Sequence, residues 1–169
     1  MKYKASMDWV AILITVGVLV LFTFIALKPI WQIMEREGEI RFSLVSFGVI
    51  LLFAGIYIGC WIFAPQSYTL NRSELKVNRV IGSVIFKISE IKSIRILEDF
   101  ESRGTIRTFG VGGLFGYYGK FYIPKIGSSN FYATQRKNKI LLELRDGRNI
   151  VITPDDLGLY DRLTEYKNA

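Results

Sequence analysis

Hydrophobic and polar positions divide this chain into two regimes. From Trp9 to Leu27 and from Phe42 to Ala64 no charged side chain interrupts the apolar run. At 1.5 Å rise per residue, such runs extend about 28 and 34 Å as helices, against a hydrocarbon core of roughly 30 Å. A helix closes its backbone hydrogen bonds internally, so each run can cross lipid without stranding polar groups. The pattern predicts a two-helix transmembrane hairpin within residues 1–64 and a second domain over 65–169. Pro29 is expected to end the first helix, Trp31 to sit at headgroup level, and Gly38 to turn the chain back.

After Pro65 the period changes from helical bulk to two. A strand can start by Ser67. Leu75 and Val77 alternate with Lys76 and Asn78; Val84, Phe86 and Ile88 alternate with Ser83, Ile85 and Lys87; Ile91 to Leu97 is again β-branched. Ile140, Leu142 and Leu144 alternate with Leu141, Glu143 and Arg145, and Asp146-Gly147 predicts a two-residue hairpin turn back into Arg148–Ile152. Short strands at this spacing indicate an antiparallel sandwich or barrel. A helix closes the chain, with Thr153 as N-cap, Pro154 at its first position, and Asp155 and Asp156 in its first turn. Leu157, Tyr160, Leu163 and Tyr166 supply its apolar stripe.

Charge adds an orientation. The net charge is +7, and residues 65–169 hold seventeen Lys and Arg against eleven Asp and Glu. Lys2, Lys4, Arg72, Lys76 and Arg79 flank the outer ends of the two apolar runs. The loop between them has Lys28, Arg36 and Arg41, diluted by Glu35, Glu37 and Glu39. Basic residues favour the cytoplasmic side, so both termini are expected there. The first run exceeds the ~7–15 residues of a signal-peptide core and is read as a permanent anchor.

Composition narrows the chemistry. There is no histidine, which removes imidazole metal sites and Ser-His or Cys-His nucleophile systems. The single cysteine, Cys60, lies in the second apolar run, so no disulfide framework exists. Asp155 and Asp156 are explained by capping, and Glu98, Asp99 and Glu101 by a solvated turn. No enzymatic activity, cofactor or metal is expected. Gly48, Gly55 and Gly59 project from one face of the second apolar helix, where another backbone can approach closely; the partner is either the first helix, with its Gly17, or a second copy.

The segment from Arg107 to Tyr122 reads Arg-Thr-Phe-Gly-Val-Gly-Gly-Leu-Phe-Gly-Tyr-Tyr-Gly-Lys-Phe-Tyr. It fits neither the dinucleotide fingerprint nor a Walker loop. Its glycines amid aromatics suggest a tight, curved connection whose rings cover an open sheet edge or dip into the membrane interface. With Asn130–Thr134 and Ile152–Asp156, this segment resembles the glycine-rich signature of bacterial pleckstrin-homology-like domains over about Pro65 to Tyr166. The resemblance implies an all-β, partly open barrel of about seven antiparallel strands capped by a C-terminal helix. It implies little about activity, since a fold hosts many functions.

The remaining candidates are basic and aromatic. Arg136, Lys137 and Lys139 surround Asn138 in an expected hairpin turn; Lys120 and Lys125 flank the aromatic segment, Arg103 and Arg107 precede or open it, and Tyr117 and Tyr118 lie within it. Each cation near an anionic bilayer contributes about 1 kcal/mol. The expectation is a membrane-anchored, non-catalytic interaction module that presents a strand edge or this basic-aromatic loop to a protein partner or acidic lipid headgroups. The alternative is a small oligomeric transport or channel component assembled through the glycine face. Conducting paths normally carry ionisable side chains, and these helices have none. No nucleic-acid motif accompanies the positive charge.

Overall fold

A computed structural model describes residues 1–35 and 40–168, with side chains described for 1–27 and 47–168. The chain runs β1 (Lys2–Lys4), α1 (Trp9–Glu35), α2 (Ile40–Phe63), β2 (Ser67–Leu70), β3 (Glu74–Asn78), β4 (Val84–Lys87) and a 3₁₀ turn (Ile88–Glu90). It continues with β5 (Ile91–Ile96), β6 (Ile106–Gly112), β7 (Tyr117–Ile123), β8 (Gly127–Ala133), β9 (Ile140–Leu144), β10 (Asn149–Ile152) and α3 (Gly158–Asn168).

Within α1, Trp9–Leu27 is long and apolar enough to cross a membrane, and 11% of it is buried inside the protein. The described part of α2, Phe47–Phe63, is apolar but shorter. The helices meet through Phe22 stacked on Phe53, ring centroids 4.4 Å apart, and Tyr57 edge-on to Phe22. Pro29 does not end α1, which continues to Glu35. Proline forfeits a backbone hydrogen bond, a loss helices tolerate where other groups satisfy the freed carbonyl. The expected turn at Gly38 and the Trp31 side chain lie outside the described residues.

The expected barrel is instead two separate sheets. One has the order β1-β2-β3-β4 and the other β5-β9-β10-β8-β7-β6. Among the described residues ten strands form rather than about seven, and one pair, β8 with β10, is parallel. The parallel pair arises because β9 folds back on the far side of β10, so β8 and β9 are not neighbours. The segment Arg136–Lys139 is therefore a crossover and not a hairpin turn. Two residues of the N-terminal tail that read as membrane-flanking charge, Lys2 and Lys4, belong to β1, which pairs antiparallel with β2.

Alternation in the strands builds the core. Tyr68, Leu70, Leu75, Val77 and Phe86 from the first sheet face Ile91, Ile140, Leu142, Leu144, Ile150 and Ile152 from the second. Leu159 and Leu163 of α3 close that core, fully buried. On the opposite face of the second sheet, Phe121 stacks on Phe131 at 4.4 Å, over Leu141 and Val151.

Helix α3 starts later than capping rules suggest. Thr153 is buried, and its Oγ1 accepts the backbone N–H of Thr134 at 3.0 Å. Asp156 caps instead, accepting from Gly158 N–H at 2.8 Å. Asp155 turns away to accept from the backbone N–H and the hydroxyl of Ser6, at 2.8 and 2.6 Å. Tertiary partners captured two of the three expected capping residues. The β9–β10 connection is also longer than two residues: Leu144 N–H bonds Arg148 O, and Gly147 takes the left-handed φ of +86° between them.

Candidate functional site

The glycine-rich segment is the β6–β7 hairpin, and it leans on the apolar helices. Its tip closes with Gly113 N–H on Gly116 O at 2.7 Å. A Cβ at Gly113 would stand 2.5 Å from Ile14 Cδ1, the movable end of that side chain, and the φ of +120° there favours glycine in its own right. Phe115 donates its backbone N–H to Thr15 Oγ1 at 2.9 Å, and its ring meets Tyr57 of α2 edge-on at 4.9 Å. Thr15 is the sixth residue beyond Trp9, and Tyr57 the sixth before Phe63, so both helices put the tip about 9 Å inside their domain-side ends. Lower on the hairpin, the Tyr118 hydroxyl donates to Cys60 O at 2.5 Å. Burial first, and then the neighbouring Cys60 side chain, hold the Tyr118 pKa far above its ordinary value.

Further glycines serve the hairpin itself. Gly110 and Gly119 are paired across β6 and β7, and a Cβ on Gly110 would reach 2.4 Å from Tyr118 O. Between Arg107 and Phe109 the register shifts, with Thr108 donating its hydroxyl to Lys120 O at 3.0 Å. A bulge re-aims the side chains beyond it. Phe109 thus pairs with Lys120, on the opposite face from Arg107, which is paired with Phe121.

This arrangement frames a concavity of about 290 Å³ where the hairpin meets the end of α2. Phe63, Phe109 and Tyr118 form its apolar wall; Arg79, Lys120 and Asn130 supply polar groups. The Arg79 guanidinium lies 5.7 Å from the Phe63 ring centroid, and its Nε donates to Gly82 O at 2.6 Å. The lining can therefore present two cations and an amide to an anion, with aromatic surface beside them.

The residues expected to bind fall into separate groups. Lys120 and Tyr118 line the concavity. Arg136 is tied to Asp8, Nε to Oδ2 at 3.0 Å, and Tyr117 OH reaches the same carboxylate at 3.4 Å. Asp8 also caps α1 by accepting from Ala11 N–H at 2.8 Å, so one side chain rivets helix to sheet. Lys139 bonds Asp99 at 2.8 Å and Ser102 at 3.0 Å. That bond, with the nearby charges of Arg103 and Lys137, holds the Asp99 carboxyl below its usual range. Lys125 lies 5.0 Å over the Phe100 ring, and Arg107 stands on the exposed strand β6. In the sequence, Arg79 bears only on membrane orientation, and Asn130 only on the family-like segment it opens. Their common signal is position, one directly after β3 and one on β8, which only the assembled sheets bring together.

Among the described residues, the glycine stripe stands open. A Cβ at Gly17, Gly48, Gly55 or Gly59 would find no atom within 4 Å among the described residues. Among the described residues, the ring contacts between α1 and α2 are Phe22 with Phe53 and Phe22 with Tyr57.

A pair of sheets around one core, closed by a C-terminal helix and preceded by apolar helices, defines a two-sheet β domain joined to an apolar helix pair. The family model for the bacterial PH domain matches residues 66–168, and the chain belongs to that family. Strand β1 and the apolar helices lie outside the matched region. No curated protein and no solved structure matches the chain.

Proposed function

We propose that this protein is a non-catalytic, membrane-anchored binding module whose bacterial PH domain holds an anionic lipid headgroup in the concavity beside α2. The observation that carries this reading is the wall of that concavity. It begins at Phe63, the last residue of an apolar helix, and rises to Arg79 and Lys120. Acyl chains favour the aromatic end and a phosphate the cationic end. Exposed Trp9, Trp61 and Phe109 stand at the same level, as interfacial aromatics do.

Topology supports two crossings. Strand β1 precedes α1, β2 follows α2, and the two pair. If α1 crosses the bilayer, α2 has to return, and both termini share one side. The basic residues flanking those ends favour the cytoplasm. Protease added outside intact cells should leave the C-terminal domain uncut, and its digestion would reverse the orientation.

The headgroup reading is tested on the full chain. Protein extracted in mild detergent from a phosphatidylglycerol-containing membrane is expected to retain about one anionic lipid per chain by native mass spectrometry, with Arg79→Ser plus Lys120→Ser losing it. Equal retention by the double variant would discard the site. The open glycine stripe favours a second reading, self-assembly through α2; crosslinked dimers that survive Gly55→Ile plus Gly59→Ile would remove it.

A further inference from the structure

The end of the domain farthest from the helices carries a second concavity, of about 490 Å³. Three elements start beside the helices and lead to it. Strand β2 leaves Pro65 and reaches the Arg72–Ser73 turn. Strand β9 begins next to Lys139 and ends at Arg145. Helix α3 starts beside the Asp155–Ser6 contact and finishes with Tyr166 and Lys167. Strands of four or five residues and a helix of eleven advance about 13–17 Å, which sets the cleft beyond the reach of lipid headgroups.

Four cations line it, each from a different element: Arg72, Lys92, Arg145 and Lys167. Among the described residues, none of their charged groups makes an ion pair or a hydrogen bond. Carboxylates close to them in sequence are turned elsewhere. Asp146 is on Arg148 at 2.7 Å, Glu165 on Arg162 at 3.1 Å, and Glu90 on Lys87 at 3.9 Å. No carboxylate contributes to the lining, whose other polar groups are the hydroxyls of Ser73, Ser89 and Tyr166. Collecting four like charges around one concavity costs free energy that a bound anion recovers.

The backbone is shaped for this. The β5–β9 register shifts between Ile91 and Ser93, which leaves Lys92 as the extra residue of a bulge, a device that re-aims a side chain. Arg145 N–H donates to Glu90 O at 2.8 Å, clamping the β9–β10 turn onto the 3₁₀ turn that forms the cleft wall.

We propose that this cleft binds a soluble, phosphate-bearing anion with two or more negative charges. Every polar side chain in the lining can donate, which suits an acceptor-only ligand. Two guanidinium forks match phosphoryl oxygens, and two ammonium groups add point charge. The phosphates belong either to a free small molecule or to phosphorylated side chains of a partner protein.

The test uses the full chain in phosphatidylcholine nanodiscs at about 0.15 M salt, where loose surface attraction is screened beyond about 8 Å. Inorganic tripolyphosphate is titrated calorimetrically, and a doubly phosphorylated serine peptide is titrated in parallel. Saturable binding of one probe per chain is expected, with Arg72→Ser and Arg145→Ser each weakening it about tenfold. Lys4→Ser plus Lys76→Ser removes twice that charge elsewhere and should leave binding intact. Tighter binding of the peptide identifies a protein source, and tighter binding of tripolyphosphate a small molecule. Failure of both probes to saturate, or equal weakening by the control variant, would overturn the proposal. So would loss of binding in phosphatidylglycerol nanodiscs, which would mean that the bilayer reaches the cleft. None of these outcomes depends on lipid retention beside α2.

Discussion

Arg136 and Lys139, at the end of the domain beside the helices, each rest on a carboxylate. Arg72, Lys92, Arg145 and Lys167, at the far end, rest on none. Near the helices, charge is structural: Asp8 caps α1 while holding Arg136, and Asp99 bonds Lys139, which is itself only 12% exposed. At the far end, charge is unspent and gathered around a cleft. A count of basic residues along the chain cannot separate these roles, because a cation's availability depends on which carboxylate the fold puts beside it.

The strongest way to break the near end is to part the hairpin. Gly110→Val would drive Cβ to 2.4 Å from Tyr118 O at a φ of +111°, and should cost about 4 kcal/mol or more. Gly127→Val, with φ +97° and no atom within 4 Å of its Cβ, should cost only about 1–2 kcal/mol. Thermal unfolding of the full chain in detergent compares them; equal losses would mean that strain alone, without the β6–β7 approach, explains both.

Alkaline pH probes the core between the ends. Tyr68 is fully buried, with its hydroxyl donating to Tyr132 O and accepting from Thr153 N–H, and burial pushes its pKa from 10.0 up to about 12. A pKa raised in the folded state means stability is complete below pH 10 and falls as pH climbs toward 12, by about 3 kcal/mol if the whole shift is realised. Burial of Tyr118 acts with the same sign. Denaturant midpoints measured across that window should decline steadily, and a flat profile in wild type would contradict the burial of Tyr68.

The rivet comes next. Asp8→Ala removes a helix cap and strands Arg136, for about 2–3 kcal/mol. Arg136→Ala, whose side chain is half exposed, should cost about 1 kcal/mol. The smallest effect sharpens the comparison most: Arg145→Ala should change stability by less than about 0.5 kcal/mol, or raise it slightly by relieving repulsion. A loss as large as that of Arg136→Ala would show that the far-end cation is structural too.

Local pattern reached the strands whose two faces differ. Leu75 and Val77 against Lys76 and Asn78 marked β3, and the β-branched run Ile91–Ile96 marked β5, because one face of each is buried. It failed where a partner distant in sequence made the choice. Lys2–Lys4 has too little apolar content to announce β1, and its strand exists because β2 offers a free edge. Thr153 satisfied every rule for an N-cap, but Thr134 took its hydroxyl and Asp156 capped in its place. The glycine-rich segment announces a tight, curved connection, and it is the β6–β7 hairpin; that Gly113 approaches Ile14 is not readable from either residue.

Apolar length, strand alternation and the glycine-aromatic signature are carried by neighbouring residues, so the primary structure alone settles that apolar helices precede a bacterial PH domain. Which charges are free and which are bound is a matter of through-space distance. Arg79 and Lys120 meet across two sheets, and Arg72 and Lys167 meet across nearly a hundred positions, so only the folded chain could decide it.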